Sequence, residues 1–97
     1  MQTPENLTQL SGHIVARKSH PSLADYDSVT VRIATASAVE GKMQILKPQP
    51  GELVELVVRR ELLGNATSGN RIKCRAKHSL NGPMCEPHPE VGNFVIE

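Results

Sequence analysis

Apolar and polar residues alternate along several short stretches of the chain, which is the pattern of β-strands with one buried face. The clearest stretch runs from Ser28 to Ala36, where Val29, Val31 and Ile33 face one side. Similar alternation predicts further strands, although the last of them is irregular: Leu10 to Lys18, Glu52 to Arg60, Asn70 to His78, and Met84 to Glu97. No stretch has the 3.6-residue periodicity of a long helix, so the pattern predicts an all-β protein.

The alternation also predicts which residues form the core. In the first strand the inward residues are Leu10, Gly12, Ile14 and Ala16. In the strand from Glu52 to Arg60 they are Val54, Leu56 and Val58, with Leu53 and Val57 on the opposite face. Because a small barrel covers only one face of each strand, Leu53, Val57 and the nearby Leu62 and Leu63 form a candidate association surface.

The segments between the strands contain turn-forming residues. Ser68-Gly69-Asn70 is typical of a turn, and Arg60 to Leu63 is long enough for one helical turn ended by Gly64 or Asn65. Gly41 to Pro50 is compatible with either a helical turn or a short strand. Five or six short strands separated by such turns predict a small antiparallel barrel. An OB-like barrel fits best, and an SH3-like barrel is the alternative.

Length and composition limit the organisation of the chain. With 97 residues it is long enough for one domain, which we place at residues 10–97 after a flexible segment at 1–9. The N-terminus lacks the features of a signal peptide, and no apolar run is long enough to cross a membrane. The two cysteines do not form a disulfide framework. We therefore expect a cytoplasmic protein that does not interact with membranes.

The most distinctive motif is a row of basic residues on every second position of one predicted strand: Arg71, Lys73, Arg75 and Lys77. On a strand these four side chains share the solvent-facing side, so they form a candidate nucleic-acid interface. Arg59 and Arg60 are candidates to extend it. The net charge is only +1, so attraction to a polyanion depends on this local patch.

Two observations weaken the nucleic-acid hypothesis. Tyr26 and Phe94 are the only aromatic residues, whereas single-strand binding usually relies on aromatic stacking. In addition, a hairpin centred on Asn81-Gly82 would place Lys77 opposite Glu86 and Lys73 opposite Glu90. This register predicts that local carboxylates neutralise half of the row, leaving an ordinary solvated face.

Two other groups of residues suggest chemistry but form no recognisable motif. Cys74, His78, Cys85 and His88 are of the types that bind zinc, but their spacing is not that of a zinc finger, so we predict no metal. The same register places Cys74 opposite Pro89, which predicts two free thiols. The second group lies in a loop and is a candidate for proton transfer or metal binding: His20, Asp25, Tyr26 and Asp27.

These observations favour a non-enzymatic binding module that needs no cofactor. The chain contains no nucleophile elbow, phosphate-binding loop or activated cysteine motif, so we identify no catalytic residue. The leading hypothesis is association with a protein partner or with a second copy of the chain. Weak nucleic-acid binding on the basic strand face is the alternative. A small metal-dependent or acid–base enzyme comes third.

Overall fold

A computed structural model describes residues 5–97. The chain forms six strands and one helical turn: β1 (Thr8–Ser19), β2 (Tyr26–Ala38), β3 (Leu53–Arg59), α1 (Arg60–Leu63), β4 (Arg71–Ser79), β5 (Gly82–Cys85) and β6 (Val95–Ile96). Gly64 ends α1 with a φ of 53°, as its position in the sequence predicts. The segment between β2 and β3 contains no helix and only an isolated bridge at Met43.

The strands close into a barrel. β1 pairs with β2 on one side and with β4 on the other, and the sheet continues from β2 through β3 and β5 to β4. The predicted small all-β barrel is thus confirmed, with β6 as an extra strand beside β4. It is not fully antiparallel, because β3 and β5 run parallel where Val57 lies beside Met84. This contact closes the barrel, because it joins β3 to β5. Parallel neighbours need a long connection, and here the chain between them passes through α1 and β4.

The predicted alternation accounts for most of the core. Its fully buried members include Leu10, Ile14, Val29, Val31, Leu56, Val58, Cys74 and Cys85. Ala16 was predicted to face inward but is exposed. The register of β1 against β2 shifts between Ile14 and Ala16, and an irregularity of one residue reverses the side on which the following side chains lie.

Gly12 permits the close approach of β1 and β2. A Cβ atom at this position would lie 2.1 Å from the carbonyl oxygen of Arg32, closer than atoms can approach. A second register shift follows Ser11, whose partner is Thr35 while the partner of Gly12 is Ile33. Ala34 is therefore an additional residue on β2. Such bulges increase strand curvature, which favours closure of a small barrel.

The chain joins the barrel before the predicted boundary at residue 10. β1 begins at Thr8, and Asn6, Leu7 and Thr8 are buried. The amide of His78 donates a hydrogen bond of 2.7 Å to Asn6 Oδ1. Residues 1–4 of the predicted flexible segment lie outside the described residues. The described part of the segment is held against β4.

The predicted register of the β4–β5 hairpin is wrong. Ser79 pairs with Gly82, so the turn residues are Leu80 and Asn81, and Lys77 lies opposite Met84 instead of Glu86. A tight turn on Asn81-Gly82 would need a closing amide from the next residue, Pro83, which has none. Gly82 instead begins β5 with a φ of 86°.

The predicted association surface is largely covered. Val57 and Leu63 are 5% and 3% exposed, and Leu62 packs against the core, so of the four residues only Leu53 is well exposed. Leu62 and Leu63 lie on α1, which orients them toward the barrel. Association with a partner remains a prediction, but three of the four residues that suggested it are not available as a surface.

Candidate nucleic-acid interface

The alternating basic residues of β4 lie on its outer side, as predicted. Ile72, Cys74 and Ala76 are buried between them, while Arg71 and Lys73 are exposed. Lys77 is exposed as well, and Arg75 is half-buried. Each buried residue anchors the strand to the core, so the cations between them are held on a rigid, solvent-facing surface.

Pairing between β1 and β4 extends this surface with polar, uncharged residues. Gln9 lies opposite Arg75, and Ser11 lies opposite Lys73. Gln9 Oε1 accepts a hydrogen bond of 3.2 Å from Arg75 Nε. On the far side of β1, Ser11 contacts Thr35 through their hydroxyl groups. The neighbours of Lys73 and Arg75 on β1 are therefore neutral hydrogen-bonding groups.

A second row crosses three strands. His13 on β1 is paired with Arg71 on β4 and with Arg32 on β2. Both arginines and the histidine are exposed. Neighbouring strands are about 4.8 Å apart, so three basic side chains lie side by side across the sheet. We refer to the outward residues of β1, β2 and β4 as the basic face: Gln9, Ser11, His13, Arg32, Thr35, Ser37, Arg71, Lys73, Arg75 and Lys77.

Most cations of this face form no ion pair with the described residues. Among the described residues, no carboxylate lies within 4.0 Å of Lys73, Arg75 or Lys77. Lys73 lies between Ser11 on β1 and Val95 on β6, not opposite Glu90 as predicted. Among the described residues, only Arg71 of the four forms an ion pair, with Glu97 at 3.6 Å, and both side chains are about two-thirds exposed. Glu86 lies beside Arg75, whose carbonyl accepts a hydrogen bond of 3.0 Å from the Glu86 amide, and Glu86 also lines a cavity with Lys77. The two expected ion pairs, Lys73 with Glu90 and Lys77 with Glu86, do not form.

Arg59 and Arg60 have different surroundings from the basic row of β4. Arg59 donates to the carbonyl of Pro87 at 3.0 Å and pairs with Glu61 at 2.9 Å. Arg60 pairs with Asp27 at 2.9 Å. Arg59, Arg60 and Glu61 line a cavity of about 520 Å³ together with Asp25. Its two cations are balanced by two carboxylates, so it has no strong preference for anions.

The candidate loop residues hold the loop and the barrel together. His20 Nδ1 accepts hydrogen bonds of 3.1 and 2.9 Å from the amides of Ser22 and Leu23. The carbonyl of Asp25 accepts a hydrogen bond of 2.8 Å from the amide of Arg60. Asp25 has a φ of 66°, which Asp tolerates better than most residues. These contacts organise the loop.

Tyr26 and Asp27 belong to β2 and not to the loop. Tyr26 is half-buried opposite Arg59. The Asp27 carboxylate is 6% exposed and lies between two arginines, at 2.8 Å from Arg17 Nε and 2.9 Å from Arg60 Nε. Burial alone would raise the pKa of Asp27, but the hydrogen bonds and charges of Arg17 and Arg60 outweigh it and lower this pKa below its usual value.

The Asp27 cluster connects parts of the chain that are distant in sequence. Arg17 also donates to the carbonyls of Gly64 at 2.9 Å and Ala66 at 2.7 Å. One arginine of β1 thereby binds both β2 and the segment that follows α1. Because the carboxylate is nearly inaccessible and fully hydrogen-bonded, this cluster is suited to stabilising the fold and not to proton transfer.

The cysteine and histidine residues do not converge. Within the part of the chain that the structure describes, no group of three or more His, Cys, Asp or Glu could hold a metal ion. Cys74 and Cys85 are buried and unbridged, but their Sγ atoms lie 3.2 Å apart, so the predicted separation is wrong. The corrected hairpin register explains this contact, because Cys85 pairs with Ala76, two residues from Cys74, and not with His78, four residues away.

Six contributors to the basic face were missed from the sequence: Gln9, Ser11, His13, Arg32, Thr35 and Ser37. Their alternation indicates which side of a strand they face, and Arg32 was correctly placed outward. Their proximity to β4 depends on pairing between residues about sixty positions apart. No local pattern specifies that pairing.

Comparison with known proteins identifies no relative. No family model matches the chain, and neither the curated proteins nor the solved structures contain a significant match. Among the described residues, no helix is long and apolar enough to span a membrane.

Proposed function

We propose that the basic face binds single-stranded nucleic acid. The observation that supports this proposal best is the row Lys73, Arg75 and Lys77, exposed or half-exposed cations with no carboxylate within 4.0 Å among the described residues. Unpaired cations on a rigid surface can each neutralise one phosphate and release a bound counterion. A row that was already paired with carboxylates would gain little from a phosphate.

The geometry of β4 suits a chain of regularly spaced charges. Residues two positions apart on a strand are about 6.6–6.8 Å apart, so the four cations form an evenly spaced line. An extended nucleic-acid strand can place successive phosphates along such a line. The neighbouring Gln9, Ser11 and Thr35 offer hydrogen bonds to phosphate or sugar oxygens.

The topology is compatible with the proposal. The closed order β1-β2-β3-β5-β4, with a helical turn between β3 and β4, is the arrangement that we interpret as an OB-type barrel. Such barrels frequently bind oligonucleotides on β2 and β3. Here the cations concentrate on β1, β2 and β4, so the binding surface that we propose overlaps the usual one only at β2.

The composition of the face defines the mode of binding. It contains no Phe, Tyr or Trp, so base stacking on these side chains, worth about 1–3 kcal/mol per base, is missing. Binding should therefore be weak, strongly dependent on salt and almost independent of base sequence.

We place this function in the cytoplasm, where nucleic acid is present and reducing conditions keep thiols such as Cys74 and Cys85 unbridged.

Fluorescence anisotropy with a labelled oligothymidine at low salt tests the proposal. Lys73→Glu should abolish or greatly weaken binding. Lys47→Glu is the matched control, because it makes the same charge change at an exposed loop position outside the face. Equal loss in both variants would show dependence on net charge alone and refute a specific face. Undetectable binding by the wild type would also refute the proposal and leave association with a protein as the leading hypothesis.

A further inference from the structure

The basic face contains a cavity of about 310 Å³ between β1, β2, β4 and β6. Four residues with hydrogen-bond donors line it: Ser11 and His13 from β1, and Arg71 and Lys73 from β4. Ser11 lies opposite Lys73 and His13 opposite Arg71, so the four residues form two cross-strand pairs, one on each side of the Gly12–Ile72 pair. The cavity is therefore surrounded by donors held on two hydrogen-bonded strands.

Two small residues, Gly12 and Ala34, also line the cavity between these donors. Gly12 cannot carry a side chain, because a Cβ atom would collide with the Arg32 carbonyl at 2.1 Å. Ala34 is the extra residue of the β2 bulge and carries only a methyl group. The Gly12 backbone and the short Ala34 side chain thus form the floor of the lining between the longer side chains of Arg71 and Lys73.

The charges around the cavity favour an anion. Arg71 and Lys73 are cationic side chains, and they come from a single strand. Among the described residues that line the cavity, only Glu97 has a carboxylate side chain, which lies 3.6 Å from Arg71 and is 64% exposed. An exposed pair of this kind contributes little and exchanges readily, so an incoming phosphate can replace the carboxylate as the partner of Arg71.

We propose that this cavity is a subsite for the phosphate group of one nucleotide. A phosphate presents several strong acceptor oxygens, which match the Arg71, Lys73, Ser11 and His13 donors. The volume exceeds that of a phosphate alone and leaves room for the attached sugar. This subsite deepens the proposed function and rests on it, because it is one fixed position within the basic face.

NMR titration of amide shifts with three probes tests the subsite: adenosine monophosphate, adenosine and inorganic phosphate. We expect the monophosphate to shift the amides of Ser11, Gly12 and Lys73 in a saturable manner, while adenosine leaves them unchanged. Inorganic phosphate should shift the same amides, and weaker binding than the monophosphate would show that the sugar contributes. Equal binding of both would identify a general phosphate site and overturn the assignment to a nucleotide.

Two variants separate the subsite from the face as a whole. Lys73→Gln should weaken binding of the monophosphate about tenfold, which corresponds to one charge-assisted hydrogen bond of about 1.4 kcal/mol. Lys77→Gln is the matched control, because Lys77 lies on the same face but does not line this cavity. Equal effects of the two variants, or shifts spread over all of β4, would refute the subsite. If the oligonucleotide binds but no probe shifts the cavity amides, the subsite is wrong and the proposed function stands.

Discussion

Replacement of Asp27 by Asn should destabilise the barrel strongly. The Asp27 carboxylate is 6% exposed and accepts hydrogen bonds of 2.8 Å from Arg17 and 2.9 Å from Arg60. The neutral amide keeps the size of the side chain but removes the charge between the two guanidinium groups. Arg17, whose side chain is 20% exposed, then has no charged partner among the described residues.

The expected cost follows from the exposure of the two arginines. Removing one partner of a buried ion pair costs about 3–5 kcal/mol. Arg60 is 49% exposed and can regain water, so its share is small. Arg17 keeps its hydrogen bonds to the carbonyls of Gly64 and Ala66. We therefore expect a loss of about 2–3 kcal/mol, or roughly 10–20 °C in Tm for a domain of this size.

The pH dependence gives an independent check. Because the pKa of Asp27 is lowered in the folded state, its stabilisation is complete above the unfolded value of about 3.9 and is lost as pH falls through the folded value. The difference in unfolding free energy between wild type and Asp27→Asn should thus shrink below about pH 4. Urea denaturation at several pH values measures it.

Asp25→Asn is the matched control for Asp27→Asn. Asp25 is exposed, and Asn tolerates its positive φ of 66°. This variant should change stability by less than about 0.5 kcal/mol. A loss below about 0.5 kcal/mol for Asp27→Asn, or a difference from wild type that does not change with pH, would refute the role assigned to the Asp27 carboxylate.

Two further predictions concern the interior of the barrel. Gly12→Ala should lower stability by at least about 2 kcal/mol in chemical denaturation, because its Cβ atom cannot avoid the Arg32 carbonyl without separating β1 from β2. A Gly12→Ala variant as stable as the wild type would contradict the close approach. The thiols of Cys74 and Cys85 should react very slowly in the native protein, since their mutual hydrogen bond and burial raise the pKa of Cys85 well above its usual value. Both should react rapidly in denaturant, and titration of fewer than two thiols would contradict the unbridged pair.

The sequence predicted the fold well where the evidence was local. Alternation identified Val29, Val31 and Ile33 as core residues and the basic row of β4 as outward. It failed at Ala16, because a single bulge reverses the sides of the residues that follow it. The helical turn that ends at Gly64 was predicted correctly, because the tolerance of glycine for a positive φ is a property of the residue itself.

The candidate site depended on pairing that local patterns do not specify. The predicted hairpin turn was displaced by one residue. It therefore placed Glu86 opposite Lys77 and Glu90 opposite Lys73, and neither pairing occurs. Asp27 was interpreted as a loop residue because it is polar, although distant arginines allow it to be buried in β2. Register and long-range ion pairs arise from the whole fold, so they could not be predicted from neighbouring residues alone.

The dependence of oligonucleotide affinity on salt tests the central claim most directly. Each single-strand phosphate that is neutralised contributes about −0.7 to the slope of log affinity against log salt concentration. The four β4 cations then predict a slope of about −3, or about −2 if Glu97 keeps Arg71 occupied. Lys73→Gln should make the slope shallower by about 0.7. A wild-type slope near zero, or the same slope in this variant, would contradict binding through the unpaired cations of the basic face.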